Sequence, residues 1–184
     1  MFRVAERDYE ITGAWLELFP RINDEDEEVV CWGVKVTSKH RGGSDDMSGW
    51  RPAILSDVLV ETKRGQIAHW YEIAGTTIEW DEPKADPQAL FEVFGTAAIY
   101  RCRCQFIGVP GNTGVRFSLE GMVDVDADYR RLPIRVDTAL QVAPWPCGDM
   151  PEQECRDEFH RLGFRDPVEF KIIEGVSSLV FSNQ

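Results

Sequence analysis

Three aspartates at alternate positions, Asp124, Asp126 and Asp128, are the residues whose type and spacing come nearest to a chemical motif. D-x-D-x-D matches the first three ligand positions of an EF-hand loop, where hard divalent cations take oxygen donors. The rest of that loop is missing, because Tyr129 stands where it needs glycine and Arg135 where it needs a bidentate glutamate. On a strand the same spacing simply places three carboxylates on one polar face. With a fourth carboxylate they would make a metal site, so they are the candidate metal ligands. Arg130 and Arg131 beside them favour solvated or Arg-paired carboxylates instead.

Cysteine offers a second possibility. The five cysteines, at 31, 102, 104, 147 and 155, form no C-x-x-C pair, and their number leaves one over. That pattern predicts thiols kept reduced in the cytoplasm rather than a disulfide framework. Cys102 and Cys104 would need two further ligands to hold zinc, and the spacing nominates none. Small buried thiols are the expectation.

Asp24-Glu25-Asp26-Glu27-Glu28 are five consecutive acids. Such a block repels itself and ordinarily forms a solvated turn; as a docking surface it would take a cationic partner. The aperiodic segment 38–52 adds Asp45, Asp46 and Trp50 to these candidates for protein binding, with His40, Arg41 and Arg51 nearby. His69 lies between Ala68 and Trp70 with no recognisable dyad partner in its neighbourhood, and His160 sits near a predicted helix C-terminus, where a structural role suffices. The chain has no GxGxxG after a strand, no GxxxxGK[ST], no GxSxG and no HExxH. No catalytic residue and no cofactor is nominated.

Thirty-two acids against twenty lysines and arginines give a net charge of −12. That balance disfavours nucleic acid and anionic membrane surfaces, both of which attract cationic patches, and it suits a basic protein partner. The opening MFRVAERDYEI lacks the apolar core of a signal peptide, and no run approaches membrane-spanning length.

The elements that must position these residues are mostly strands. Two alternating runs flank Pro110-Gly111-Asn112-Thr113-Gly114, a hairpin signal. Tyr100, Cys102, Cys104 and Phe106 share the apolar face of the first run, and Val115, Phe117, Leu119, Val123 and Val125 that of the second. Apolar must lie beside apolar, so even positions pair with odd ones, with partner numbers summing to 223 or 225 unless a bulge intervenes. Strands are also expected over 9–19 (stopped by Pro20), 30–37, 53–62, 66–74, 77–80, 132–142, 168–173 and 176–181. Two helices are expected. Asp86–Gly95 has Asp at the N-cap and Pro next, and Asp149–Leu162 has Glu152 completing a capping box with Gly163 as the stop.

These elements predict a single domain over 1–184, mainly β or β-rich α+β: an antiparallel sandwich or barrel-like pair of sheets with two covering helices. The leading functional expectation is a non-enzymatic acidic protein-binding module, such as an inhibitor or immunity-type partner of a basic protein. The alternative is a barrel or sandwich holding a small ligand, as an enzyme or not, in a pocket walled by Trp15, Trp32, Trp70 and Trp80. A third possibility, an oligomerising subunit, predicts an exposed apolar patch at a strand edge.

Overall fold

A computed structural model describes residues 1–40, 54–56, 60–82, 90–92, 96–111, 114–124 and 131–182. In chain order the strands are β1 (Phe2–Val4), β2 (Arg7–Ile22), β3 (Glu28–His40), β4 (Ile54–Ser56), β5 (Val60–Lys63), β6 (Thr77–Trp80), β7 (Leu90–Glu92), β8 (Thr96–Gly108), β9 (Val115–Asp124), β10 (Arg131–Val142), β11 (Trp145–Gly148), β12 (Val168–Ile173) and β13 (Val176–Phe181). A 3₁₀ turn spans Trp70–Ile73, and helix α1 spans Glu152–Arg161.

The large sheet curls into a nearly closed barrel. Pairing runs from β3 through β4, β7, β8, β9 and β10 to β2, and β2 pairs back onto β3 along almost its whole length. The β2–β10 junction is parallel and short, Trp15 and Leu16 against Gln141 and Val142. Inside lie Leu16, Val34, Val36, Cys104, Phe106, Phe117, Leu119 and Val136, all almost fully buried. Beyond β10 the chain builds a second, three-stranded sheet in the order β11-β13-β12, with α1 packed on it. Phe159, Phe164, Trp145 and Phe181 stack together there, and Phe164 lies edge-on to Trp32 of β3, with centroids 5.7 Å apart. That contact joins the small layer to the barrel.

Two bulges explain why single-strand periodicity is misleading here. On β2 the buried side chains switch from odd (Tyr9) to even (Ala14, Leu16, Leu18) because the register against β3 shifts between Ile11 and Gly13. The Trp15 ring then folds back over Gly13, occupying the space a Cβ there would need. On β8 the expected sum of 223 holds from Arg103–Glu120 to Gly108–Val115, and it drops to 222 at Tyr100–Met122. Arg101 sits at the shift with φ +46 and turns its N–H to the Asp81 carbonyl instead. Tyr100 is thereby moved off the cysteine face, and the Arg131 guanidinium lies 3.9 Å from its ring centroid. The outer face carries the expected Arg–acid ladder, although the ion pairs run to the neighbouring strands, Arg103 to Glu79 at 3.1 Å and Glu120 to Arg135 at 2.5 Å.

Several expectations are corrected. Among the described residues there is one α-helix, not two. The stretch expected as a helix over 86–95 has Leu90–Glu92 as a strand between β4 and β8. A nine- or ten-residue helix is marginal alone, and pairing on both edges to complete the barrel outweighs that local preference. Residues 66–74 are not a strand, because the chain turns through Trp70–Ile73. Pro20 does not end β2: it pairs with Val30 where no described strand lies on the other side of β2, so its missing N–H costs no ladder bond among the described strands. Helix α1 starts after Pro151 without a side-chain cap, so Asp149 is not its N-cap.

Cys147 and Cys155 are bonded as a disulfide, with Cα atoms 5.7 Å apart. The expectation of five thiols fails at these two, which removes the cysteine argument for a reducing compartment. The bridge ties β11 to α1 across eight residues of sequence. By loop-closure entropy a bridge of that span stabilises by about 2–3 kcal/mol. Cys31, Cys102 and Cys104 are free and buried.

Candidate functional site

The acidic turn is the tip of the longest hairpin, β2–β3. Asn23 shapes it: its side-chain oxygen accepts the N–H of Glu25 at 3.0 Å and of Glu27 at 2.9 Å, while its backbone N–H donates to the Glu27 carbonyl. This Asx-type turn explains why asparagine precedes the acids, since its side chain replaces backbone partners that a tight turn loses. Asp26 adopts φ +58, a left-handed conformation that aspartate tolerates better than most residues.

The five acids divide into two groups. Glu28 is gripped by both Nη atoms of Arg161 at 2.5 Å, with Arg64 at 3.6 Å, and Arg161 also holds Glu158. The hydrogen bonds from Arg161 hold the Glu28 and Glu158 carboxyls below the ordinary glutamate range. Lys63 stands 3.6 Å from Glu27. Asp24, Glu25 and Asp26 are exposed and have no ion pair with any described residue. The hairpin base is therefore neutralised, while its tip carries three adjacent, unopposed carboxylates on a fixed backbone. The other proposed contact residues, Asp45, Asp46 and Trp50, lie outside the described residues.

Of the candidate metal ligands, only Asp124 is described. One of its oxygens is buried without a hydrogen bond, and Arg131 Nε approaches it to 3.8 Å. Asp126 and Asp128 lie outside the described residues. Among the described residues no three His, Cys, Asp or Glu side chains are grouped to hold a metal ion. Cys102 and Cys104 touch at 3.5 Å within the barrel; that contact and burial push the Cys104 thiol up, so it stays protonated.

Three of the four tryptophans required as pocket walls serve as core, whereas Trp15 is half-buried with its ring over Gly13. Trp32, Trp70 and Trp80 are buried; Trp32 donates its indole N–H to Thr62 at 2.8 Å and Trp80 to the Ile99 carbonyl at 2.7 Å. A groove of about 360 Å³ opens on the outer face of β1, β9 and β10, between Met1, Arg3, Glu120, Pro133 and Arg135, and no tryptophan lines it. Comparison with protein-family models, with curated proteins and with solved structures finds no match. No helix among the described residues is long and apolar enough to cross a membrane.

Tertiary structure gives His69 a partner the local sequence does not show. Asp166, 97 residues away and 5% exposed, has one oxygen 3.3 Å from His69 Nδ1 and the other accepting the Trp70 N–H at 3.1 Å. The ring stacks on Tyr71, and Glu72 accepts the N–H groups of Ala68 and His69. No hydroxyl or thiol of the described residues hydrogen-bonds His69, and the pair ties the 3₁₀ turn to the segment after α1, where the Arg165 N–H also meets the Ala68 carbonyl. Burial lifts the Asp166 carboxyl above the ordinary aspartate value, against the hydrogen bonds from Trp70 and His69.

A raised carboxyl in the folded state means that Asp166 favours folding fully below the ordinary aspartate value and loses that contribution as pH rises through its elevated one. Asp166→Asn, which does not titrate, should remove this dependence. The stability difference between wild type and Asp166→Asn, from urea unfolding across the acid range, should therefore fall with rising pH; a rise would refute the assignment. Asp166→Ala should cost about 1–3 kcal/mol by stranding the buried Trp70 N–H.

Proposed function

We propose that this protein is a non-enzymatic acidic binding module that presents Asp24, Glu25 and Asp26 to a basic surface on another protein. The observation supporting this is the division within the acidic turn: Glu27 and Glu28 are matched by Lys63, Arg64 and Arg161, whereas the three acids at the tip form no ion pair with any described residue. Crowded like charges on a held backbone carry a standing repulsion that a cationic partner relieves, and little ordering is needed on binding. The net charge of −12 adds long-range attraction for such a partner. An inhibitor of a basic protein fits this chemistry by analogy alone.

The test compares immobilised wild type with Asp24→Asn/Glu25→Gln/Asp26→Asn in extracts of the native cell, using Asp149→Asn/Glu154→Gln/Glu174→Gln as a control of equal net charge. A basic protein should be retained by wild type and by the control. The tip variant should lose it at least tenfold, as should wild type at ~0.5 M salt. Retention that ignores both the tip variant and salt would refute the proposal.

A further inference from the structure

The three-stranded sheet has an open edge. β12 pairs with β13 on one side, and no described strand lies on the other. The Ser182 N–H bonds the Pro167 carbonyl, so along this antiparallel ladder residues 169, 171 and 173 turn their backbone groups inward to β13. Val168, Phe170 and Ile172 turn theirs outward. The Val168 carbonyl is met by Arg156 at 2.9 Å, which leaves its second lone pair and the groups of Phe170 and Ile172 for a neighbour. Ile172 is 73% exposed, the highest value among the exposed large hydrophobic residues. Natural edges are normally blunted against pairing, and the charged side chains along this one are Glu169 and Lys171, which pair with each other at 2.8 Å.

We propose that β12 pairs antiparallel with β12 of a second copy of this chain, about a two-fold axis at Phe170, joining two three-stranded sheets into one of six. Outward-facing backbone must meet outward-facing backbone, so even residues pair with even residues and the axis falls on a residue of β12. An axis at residue 169 sets Glu169 against the partner's Glu169, and one at 171 sets Lys171 against the partner's Lys171. An axis at 170 sets Glu169 against the partner's Lys171 twice over, in the closer, non-hydrogen-bonded type of pair. It also lays Phe170 beside the partner's Phe170 and covers Ile172 with the partner's Val168. The segment Val168-Glu169-Phe170-Lys171-Ile172 is thus complementary to itself in charge and in apolar contact, as an isologous interface requires. Two short edges bury less than a standard interface, so association at about 10–100 µM is expected.

Sedimentation equilibrium from ~5 µM to ~1 mM tests this. Wild type should dimerise. Lys171→Glu and Glu169→Lys should each weaken the dimer at least tenfold by facing like charges across the axis. The swapped double variant E169K/K171E should restore it, and an equimolar mixture of the two single variants should associate more tightly than either alone. Both side chains are half-exposed, so the monomers should keep the wild-type melting temperature, which confirms that β12 is folded. A wild type still monomeric at ~1 mM, a dimer indifferent to Lys171→Glu, or a swap that fails to restore association would each overturn the proposal.

Discussion

Phe164→Ala is expected to destabilise the protein by about 3–5 kcal/mol, lowering the melting temperature by roughly 6–20 °C. Phe164 is 1% exposed and touches Trp32, Trp145 and Phe159, with centroids 5.7, 6.0 and 5.0 Å away. Removing its ring deletes the aromatic contact between Trp32 of the barrel and the small layer as well as leaving a cavity. Its neighbours are rings fixed by their own strands and helix, so the site relaxes poorly. Urea unfolding of this variant and of Phe19→Ala, a phenylalanine 37% exposed on β2, measures the effect. The second change should cost under about 1 kcal/mol. Equal costs would show that the aromatic layer is not what couples the two sheets.

Gly163→Ala is the second large expected effect, about 2–5 kcal/mol. Gly163 ends α1 at φ +106, and a Cβ there would stand 2.5 Å from the Gly65 Cα and 2.9 Å from its nitrogen. A left-handed conformation costs a non-glycine residue about 1–2 kcal/mol, and forcing backbone apart about 1–3 more. The clash falls where the turn after β5 docks on the helix end, held by the Gly65 N–H to the Leu162 carbonyl at 3.0 Å and Arg64 Nε to the Arg161 carbonyl at 2.6 Å. Gly75→Ala is the control: it has φ +92 with nothing within 4 Å of the added carbon, so it should pay the conformational part alone. If both substitutions cost the same, the Gly65–Gly163 approach is not tight in solution.

These two sites also bear on the acidic turn. Arg64 and Arg161, which neutralise Glu28, are adjacent to the Gly65–Leu162 contact. Docking of the small layer therefore sets which acids are matched and which are left free. Gly163→Ala should loosen that division along with the fold.

The sequence by itself determined a mainly β chain, the central hairpin with its register narrowed to sums of 223 or 225, the strand over 30–37, and an acidic turn before it; the structure chose 223 and showed Asn23 holding the turn. Each of these depends on side-chain alternation or turn chemistry within a dozen or so residues. The sequence also marked Ile172 as part of a final hairpin, but not that its edge has no described strand beside it. Only the tertiary structure decided the rest. The bulges at Ile11–Gly13 and Arg101 reverse which face is buried, and their cause is the register of a neighbouring strand. Leu90–Glu92 has helix-like caps but becomes a strand, because a gap between β4 and β8 offers it two ladders. Cys147 meets Cys155 and His69 meets Asp166 only when strand and helix are packed. The neutralisation of Glu27 and Glu28 comes from Lys63, Arg64 and Arg161, distant in sequence, which the fold brings to the base of one hairpin and not to its tip.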